Sequence, residues 1–204
     1  MVQKGTDILP VMESFYSIQG EGHHSGKPAY FIRLAGCDVK CKWCDVKESW
    51  DIRNDQYLKV FNIIESAQNV NSDIVVITGG EPLSHNLFKL SDGLKKIGKN
   101  VHIETSGSEP LTGNFDWICL SPKKNKKPLG IYYEICDELK VIIYTMSDFR
   151  WAERNFEMVN KKSKLILQPE WSVEEQVIPH IVDYVKKNPH WKISLQTHKY
   201  LNVD

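Results

Sequence analysis

The chain has 204 residues, of which 41% are hydrophobic and 25% are charged, as in ordinary soluble globular proteins. Its 26 Lys and Arg residues balance 26 Asp and Glu residues, which does not favour a strongly basic nucleic-acid-binding protein. The sequence contains no apolar run of about 18 residues that would span a membrane, and residues 1–10 lack the apolar core of a signal peptide. We therefore expect a cytoplasmic protein with one domain over residues 1–204 and with neither nucleic-acid nor membrane partners.

Short apolar, β-branched or aromatic runs alternate with helical patterns along the chain. Strands are predicted at residues 29–35, 74–78, 101–105, 117–121, 139–143, 165–168 and 193–197. Apolar residues with helical spacing predict helices within residues 57–67, 87–97, 149–159 and 173–185. Alternating strands and helices indicate a parallel sheet covered by helices. Because a complete eight-fold barrel needs about 250 residues, we expect an α/β fold, an incomplete TIM-like βα barrel with a mostly parallel sheet.

Polar and glycine-containing segments follow the predicted strands. They are GGEP at 79–82, ETSG at 104–107, SPK at 121–123, QPE at 168–170 and QTHK at 196–199. Residues 37–55 and 123–130 are predicted to be loops. Because the carboxyl ends of parallel strands share one edge of the sheet, we expect these segments to meet at an active site.

Three of the five cysteines, Cys37, Cys41 and Cys44, lie within eight residues. A structural zinc ion takes four ligands, and the nearest candidates for a fourth ligand are His23 and His24. A four-iron, four-sulfur (4Fe–4S) cluster usually takes four cysteines, so three thiolates would leave one iron open to a small molecule. Zinc with a distant fourth ligand remains the alternative, whereas a redox dithiol would leave one cysteine unexplained.

The two other cysteines stand apart, each in an apolar context. Cys119 lies within a predicted strand and Cys136 shortly before one. Both are predicted to be buried thiols, because unpaired cysteine behaves as a small apolar residue.

The cysteine spacing C-x3-C-x2-C resembles the signature of radical S-adenosylmethionine enzymes. Trp43 stands where that superfamily often has an aromatic residue near the adenine. The segment GGEP resembles its second motif, where Gly79 and Gly80 let the backbone approach the methionine ammonium group and backbone carbonyls or Glu81 accept its hydrogen bonds.

A longer set of motifs, in order along almost the whole chain, resembles the 7-carboxy-7-deazaguanine synthase family. The set comprises SIQGEG at 17–22, Arg33 four residues before the first cluster cysteine, ETSG at 104–107, SPK at 121–123, LQP at 167–169 and SLQTHK at 194–199. Each motif alone has modest specificity, but their joint occurrence in this order is highly specific.

The resemblance implies a carbon–nitrogen lyase of queuosine and 7-deazapurine biosynthesis. The implied substrate is 6-carboxy-5,6,7,8-tetrahydropterin and the products are 7-carboxy-7-deazaguanine and ammonia. The implied cofactors are a 4Fe–4S cluster and S-adenosylmethionine, which is cleaved to a radical that abstracts hydrogen from C6 and is then regenerated. The family also suggests a flavodoxin or ferredoxin as electron donor, and a homodimer.

The resemblance also assigns residues. Cys37, Cys41 and Cys44 are the implied cluster ligands, and Arg33, Glu21 and His198 the implied catalytic residues. Contacts to the pterin are implied at Ile18, Gln19, Gly20, Arg33, Thr105 and the terminal carboxylate of Asp204. Contacts to S-adenosylmethionine are implied at Trp43, Asp45, Gly79, Gly80, Glu81, Gly107, Ser121, Pro122, Lys123, Gln168, Pro169 and Glu170. The structural alternatives are a surface salt bridge for Arg33, a polar surface turn for Gln19 and Glu21, and a buried structural imidazole for His198.

One position departs from the family pattern. The family often has Thr or Ser two residues after the last cysteine, where the hydroxyl helps to bind Mg2+ beside the substrate. Here that residue is Val46, whose side chain cannot ligate a hard cation. We expect weaker Mg2+ dependence, or a ligand supplied by Asp45, Ser49 or water.

Two other functions remain open at this stage. A glycyl-radical-enzyme activase would share the cysteine spacing but needs an open groove for a protein loop. A zinc-stabilised binding module would be a colourless protein with one zinc ion per chain.

Overall fold

The computed structural model describes residues 6–203, which contain nine β-strands and six α-helices. The strands are β1 (Ile8–Ile18), β2 (Pro28–Leu34), β3 (Tyr57–Lys59), β4 (Ile74–Gly79), β5 (Asn100–Thr105), β6 (Trp117–Leu120), β7 (Glu138–Ile143), β8 (Lys164–Pro169) and β9 (Trp191–Ile193). The helices are α1 (Val60–Gln68), α2 (Phe88–Lys96), α3 (Gly130–Ile135), α4 (Ser147–Phe156), α5 (Glu174–Lys187) and α6 (Thr197–Leu201). No helix in the described range is long and apolar enough to cross a membrane.

All nine strands form one sheet in the order β3-β1-β2-β4-β5-β6-β7-β8-β9. From β2 to β9 the neighbours pair in parallel, whereas β1 pairs antiparallel with both β2 and β3. Within residues 6–203 the edge strands β3 and β9 do not pair with each other, so the sheet stays open. The prediction of an incomplete βα barrel with a mostly parallel sheet is confirmed.

The two faces of the sheet have different chemistry because side chains alternate along each strand. On β7, Leu139, Val141 and Ile143 belong to the apolar core under the helices. Lys140 and Ile142 point to the other face and line a cavity. The inner face of the partial barrel is therefore where polar side chains can meet.

The loop between β1 and β2 connects the two sides of this open barrel. The amide of Gly22 donates to Ser194 Oγ at 2.8 Å, and the amide of Thr197 donates to the carbonyl of Gly20 at 3.0 Å. A Cβ on Gly20 would lie 2.1 Å from Nδ1 of His198, so only glycine permits this approach. The loop thereby brings the SIQGEG and QTHK motifs together.

Several elements differ from the sequence-based predictions. Strands β1 and β3 and helix α3 were not predicted, and β1 carries an irregularity between Val11 and Glu13 that interrupts its alternation. The strand predicted at 193–197 is wrong: β9 ends at Ile193, and α6 begins at Thr197. The Thr197 hydroxyl, which donates to Gly20 at 2.9 Å, helps to hold this turn. The loop predicted at 123–130 ends one residue early, because α3 begins at Gly130.

Candidate active site

A cavity of about 370 Å³ is lined by the segments that follow the carboxyl ends of β2, β4, β5, β6 and β8. The loops after β1 and β9 complete its wall. The predicted site residues that line it are Ile18, Gln19, Gly20, Glu21, Arg33, Cys37, Cys41, Trp43, Cys44, Asp45, Gly79, Gly80, Glu81, Thr105, Ser121, Lys123, Gln168, Pro169, Glu170 and His198. The expected convergence of motifs on one edge of the sheet is thus present.

Two predicted cofactor contacts, Gly107 and Pro122, do not line this cavity. Gly107 has φ +73°, and a Cβ there would lie 2.7 Å from Leu120 Cδ1, so this glycine serves a tight turn. Pro122 is buried, and its carbonyl accepts a 3.4 Å hydrogen bond from Trp151. The prediction for Asp204 lies outside the described residues.

The cysteine loop and the GGEP segment are in direct contact. A Cβ on Gly80 would lie 2.4 Å from the carbonyl of Gly36 and 2.7 Å from Cys37 Cβ, so the two segments pack backbone to backbone. Gly79 has φ +140°, a conformation that favours glycine. This close packing sets the glycine backbone next to the first cysteine.

The three thiols of this loop are half-buried and unpaired, and all face the same cavity. Burial raises the pKa of Cys41, an effect that the nearby charge of Lys123 opposes. Three soft thiolates that face a cavity suit an iron–sulfur cluster in which the fourth iron remains free to bind a ligand. Within residues 6–203 no three His, Cys, Asp or Glu side chains converge as the ligands of a single metal ion. The fit to a cluster rests on the donor set and its place in the cavity.

Glu81 is buried and ties two cavity loops together. Its carboxylate accepts hydrogen bonds from the Thr105 hydroxyl at 2.6 Å, the Ser106 amide at 2.8 Å and the Ser106 hydroxyl at 2.5 Å. It also accepts from the amide of Leu83 at 3.2 Å. These four bonds match the four acceptor sites of a carboxylate. The side chain therefore fixes GGEP against the loop after β5, and the backbone of GGEP is left to meet a cofactor.

Lys140 lies at the centre of the cavity floor with a side chain that is 4% exposed. Its ammonium group donates to Glu21 at 2.5 Å and to Glu104 at 2.9 Å. Gln19 donates to the other oxygen of Glu104 at 3.1 Å, and Gln196 donates to Glu21 at 2.8 Å. These hydrogen bonds hold segments from both ends of the chain together in the polar floor of the cavity.

The charge of Lys140 controls the ionisation of this floor. Burial alone would raise the pKa of Glu21, but the Lys140 charge and hydrogen bonds from Lys140, Gln196 and Gln168 outweigh it and lower the pKa to about 2. The two carboxylates in turn raise the pKa of Lys140 well above its usual range, against the effect of its burial. The surface-turn alternative for Gln19 and Glu21 is wrong, because both belong to this floor.

Sequence reasoning missed Lys140 altogether, and it placed Glu104, Gln196 and Lys199 only within motifs expected at the active site, without a role of their own; all four line the cavity. For Lys140 and Glu104 the signal was present in the strands, where each is a charged residue in an otherwise largely apolar run. In a sheet covered by helices on one face, such a charge must point into the barrel.

Arg33 lines the cavity from β2 and also forms an ion pair. Its Nε lies 2.6 Å from Oε1 of Glu13, and the side chain is 20% exposed. Only this nitrogen of the guanidinium fork has a protein partner within the described range. The salt bridge and the place in the cavity therefore coexist, and the outer edge of the fork remains available for an anion.

The cysteine loop is joined to the C-terminal segment through Asp45. Its carboxylate accepts hydrogen bonds from Gln196 at 3.1 Å and Lys199 at 3.4 Å. Ser49, by contrast, is buried and donates its hydroxyl to the carbonyl of Val46 at 2.7 Å, and it does not line the cavity. Of the two side chains expected to replace a missing hydroxyl near residue 46, only Asp45 faces the site.

His198 lines the cavity with a half-buried ring beside Gly20. Burial lowers the pKa of His198, an effect that Glu21 opposes and Lys199 reinforces. The imidazole is therefore mostly neutral at pH 7 and is able both to accept and to donate a proton.

Comparisons with known proteins agree with this geometry. Residues 31–123 match the Radical SAM superfamily. A 7-carboxy-7-deazaguanine synthase from Flavobacterium psychrophilum is 56% identical over 99% of this chain and 95% of its own length. Proteins of the same name from Synechocystis and Escherichia coli are 47% and 33% identical, covering 97% and 95% of this chain and 95% and 98% of their own.

A solved structure shows the same fold. The crystal structure of QueE from Escherichia coli aligns with a TM-score of 0.80 at 29% identity, over 92% of this chain and 93% of that chain. Three comparisons agree with one another: the relatives of full length, the superfamily match over the cysteine and glycine motifs, and the likeness in fold. The chain belongs to the 7-carboxy-7-deazaguanine synthase family within the radical S-adenosylmethionine superfamily.

Proposed function

We propose that the protein converts 6-carboxy-5,6,7,8-tetrahydropterin into 7-carboxy-7-deazaguanine and ammonia. The observation that carries this proposal is the set of residues that line the cavity of about 370 Å³. A three-thiol loop and a glycine edge form one wall, and a buried, ionised polar floor faces them. A radical reaction on a small, polar, hydrogen-bonding ring needs both parts side by side.

The thiols of Cys37, Cys41 and Cys44 would hold the 4Fe–4S cluster, and the backbone at Gly79 and Gly80 would meet the methionine part of S-adenosylmethionine. When bound, the two groups supply the hydrogen-abstracting radical chemistry. Polar side chains at the carboxyl ends of β6 and β8 and on the loops that follow them supply donors and acceptors for the nucleoside part. These side chains belong to Ser121, Lys123, Gln168 and Glu170.

The floor would orient the pterin. Glu21 is ionised at neutral pH and presents acceptors to the N–H groups of the ring. Arg33 would pair with the substrate carboxylate through the free edge of its guanidinium group. Gln19 and Thr105 add hydrogen bonds at the side, and the neutral His198 can accept or donate a proton next to the ring.

Further features that the family suggests are part of the proposal. A flavodoxin or a ferredoxin supplies the electrons, and the protein forms a homodimer in the cytoplasm. Residues 1–204 form a single domain. Mg2+ binding is proposed to be weaker than in relatives with a hydroxyl at residue 46, with Asp45 and water as oxygen ligands. Asp45 is already bonded to Gln196 and Lys199, which lowers its availability for the ion.

The two alternative functions have less support. An activase needs a groove for a protein loop, whereas this cavity of about 370 Å³ has a size suited to small molecules. A zinc-stabilised binding module does not account for the glycine edge, the polar floor or the family membership.

The proposal is tested by anaerobic reconstitution with iron and sulfide, followed by turnover with two pterins. With S-adenosylmethionine and a reductant, the 6-carboxylated tetrahydropterin should yield 7-carboxy-7-deazaguanine. The pterin without the carboxyl group should not undergo ring contraction. Cleavage of S-adenosylmethionine with no ring contraction of either pterin would contradict the substrate assignment.

A further inference from the structure

A second, smaller cavity lies below the floor of the large one, toward the amino ends of β5, β6 and β7. Its volume is about 10 Å³, room for one water-sized molecule. It shares Gln19, Glu21 and Glu104 with the large cavity. Its other lining residues include His24, His102, Trp117, Glu138 and Val76. We name this space the lower chamber.

The imidazole of His24 has no protein partner for either of its nitrogens. Both are buried, and neither forms a hydrogen bond within the described range. The ring lies with its centroid 4.7 Å from that of His102 and 4.5 Å from that of Trp117. A buried polar atom left unpaired destabilises the folded state. A small hydrogen-bonding molecule in the lower chamber would remove this cost.

The charge around the lower chamber favours a cation. Glu138 is only 2% exposed and accepts hydrogen bonds from the amide of His23 at 3.0 Å and the thiol of Cys119 at 3.5 Å. Among the described residues it forms no ion pair, because Lys140 is engaged by Glu21 and Glu104. Glu138 is therefore a buried carboxyl group without a cation of its own.

The histidines do not supply that missing charge. Burial, together with the charges of Lys27 and His23, lowers the pKa of His24 to about 4. Burial and the neighbouring His24 lower the pKa of His102 to about 4 as well. Both rings are therefore neutral at pH 7, and each presents one acceptor nitrogen.

We propose that the lower chamber binds one ammonium ion, formed from the ammonia that the reaction releases. Ammonia has the size of a water molecule and leaves the substrate next to the shared floor residues. Ammonia takes up a proton from solvent, and the resulting ammonium ion pairs with the Glu138 carboxylate, both of whose oxygens accept hydrogen bonds from the protein. The neutral ring of His24 and the face of Trp117 complete the site. The origin of the ion rests on the proposed function, whereas its binding does not.

Binding is tested on the anaerobic holoenzyme by thermal unfolding in ammonium, potassium and tetramethylammonium chloride at equal ionic strength. We expect ammonium to raise Tm in a saturable way, by about 3–5 °C at ten times its dissociation constant. Tetramethylammonium, which is too large for the chamber, should give no such increment. Equal shifts in all three salts would overturn the proposal.

Two valines of β4 provide a matched pair of variants. Val76 is fully buried and lines the lower chamber, whereas Val75 is fully buried in the core on the opposite face. Val76→Met should fill the chamber and abolish the ammonium increment, and Val75→Met should retain it. If Val76→Met does not fold, His24→Phe removes both nitrogens while keeping a ring of similar size. If ammonium raises the Tm of Val76→Met as much as that of the native protein, the site is contradicted. The same result for His24→Phe contradicts it if Val76→Met does not fold.

Turnover separates this proposal from the function itself. Ammonium should inhibit ring contraction in the native protein, with an inhibition constant raised at least about tenfold in Val76→Met. Ring contraction without an ammonium-specific rise in Tm would overturn the site and leave the function standing. Ammonium binding in a protein that does not contract the pterin would overturn the assignment of the ion as a product. An ordered atom at His24 without any ammonium-specific effect would identify water and contradict the proposal.

Discussion

Lys140 and Glu21 are separated by 119 positions in the sequence, yet Nζ of Lys140 lies 2.5 Å from Oε2 of Glu21. Glu21 belongs to the loop after the antiparallel strand β1, and Lys140 to the middle of the parallel strand β7. The same ammonium group contacts Glu104 on β5 at 2.9 Å. One buried cation thus sets the relative position of three elements that form the cavity floor.

Replacement of Lys140 by methionine should leave two carboxylates without their cation. We expect kcat/KM to fall about 100-fold, because a displaced Glu21 no longer orients the substrate. The free energy of unfolding should fall by about 3–5 kcal/mol, because an unpaired buried charge is costly. Lys140→Arg keeps the charge and should recover part of both losses. Steady-state kinetics and urea unfolding of the two variants test this, and an unchanged kcat/KM in Lys140→Met would remove Lys140 from the site.

The same pair predicts how stability depends on pH. Folding lowers the pKa of Glu21 from 4.5 to about 2. Its contribution to stability is therefore complete above about pH 4.5 and is lost as the pH falls toward 2. In Lys140→Met this loss at low pH should shrink or reverse, because burial without the Lys140 charge raises the pKa of Glu21. Unfolding measured from pH 2 to pH 7 in both proteins gives the comparison, and identical profiles would contradict the assigned coupling.

Arg33 and its partner Glu13 allow the anion-binding role to be separated from the salt bridge. Arg33→Ala should raise KM for the carboxylated pterin about 10- to 100-fold, the loss of a charged hydrogen bond. Glu13→Gln removes the 2.6 Å contact to Nε but leaves the guanidinium group in place. Its KM should stay within about twofold, because partly exposed ion pairs contribute little. If both variants raise KM equally, the effect of Arg33 on KM comes from its salt bridge with Glu13, and direct contact with the substrate is contradicted.

Glu81→Gln tests whether the carboxylate positions the glycine edge. The amide group would face donors from Ser106 and Leu83 where the carboxylate accepted them. We expect the dissociation constant for S-adenosylmethionine to rise at least about tenfold, since buried donors are left unpaired. Glu48→Gln, on the exposed side of the cysteine loop, is the control and should bind normally. Equilibrium binding to the reconstituted proteins distinguishes the two.

Val46 is the position where a hydroxyl can be restored. Val46→Thr places an oxygen at the cavity wall, where it can ligate a hard cation. The Mg2+ concentration that gives half-maximal activity should fall relative to the native protein. A titration of activity with Mg2+ in both proteins measures this, with Val46→Ala as a control for lost bulk. No difference between Val46→Thr and Val46→Ala would show that the side chain at residue 46 does not contact the ion.

The parallel part of the fold was predictable because its strands are apolar runs separated by helical stripes. Strand β1 was not, since an irregularity near Val11 and Glu13 breaks its alternation. Residues 194–199 resemble the end of a strand in composition, but long-range contacts of Thr197 with Gly20 turn them into a loop and helix.

Most of the cavity lining was predictable from motifs, whereas the partners of those residues were not. Lys140 and Glu104 stand in strands, where a charged side chain would ordinarily indicate exposure to solvent. They become neighbours of Glu21 only because the loop after β1 lies over the inner face of the open sheet and pairs Glu21 with Lys140. Gly107 was assigned to the cofactor from its motif, although its positive φ and its tight packing account for a glycine there.

The most direct measurement is the stoichiometry of a single anaerobic reaction. Reconstituted protein with a reductant, carboxylated tetrahydropterin and limiting S-adenosylmethionine should form equal amounts of 7-carboxy-7-deazaguanine and ammonia, well above the amount of S-adenosylmethionine added. Cys41→Ala should form neither product, and Cys136→Ala, whose buried thiol lies away from the cavity, should match the native protein. Product formation by Cys41→Ala, or cleavage of S-adenosylmethionine without release of ammonia by the native protein, would contradict this account.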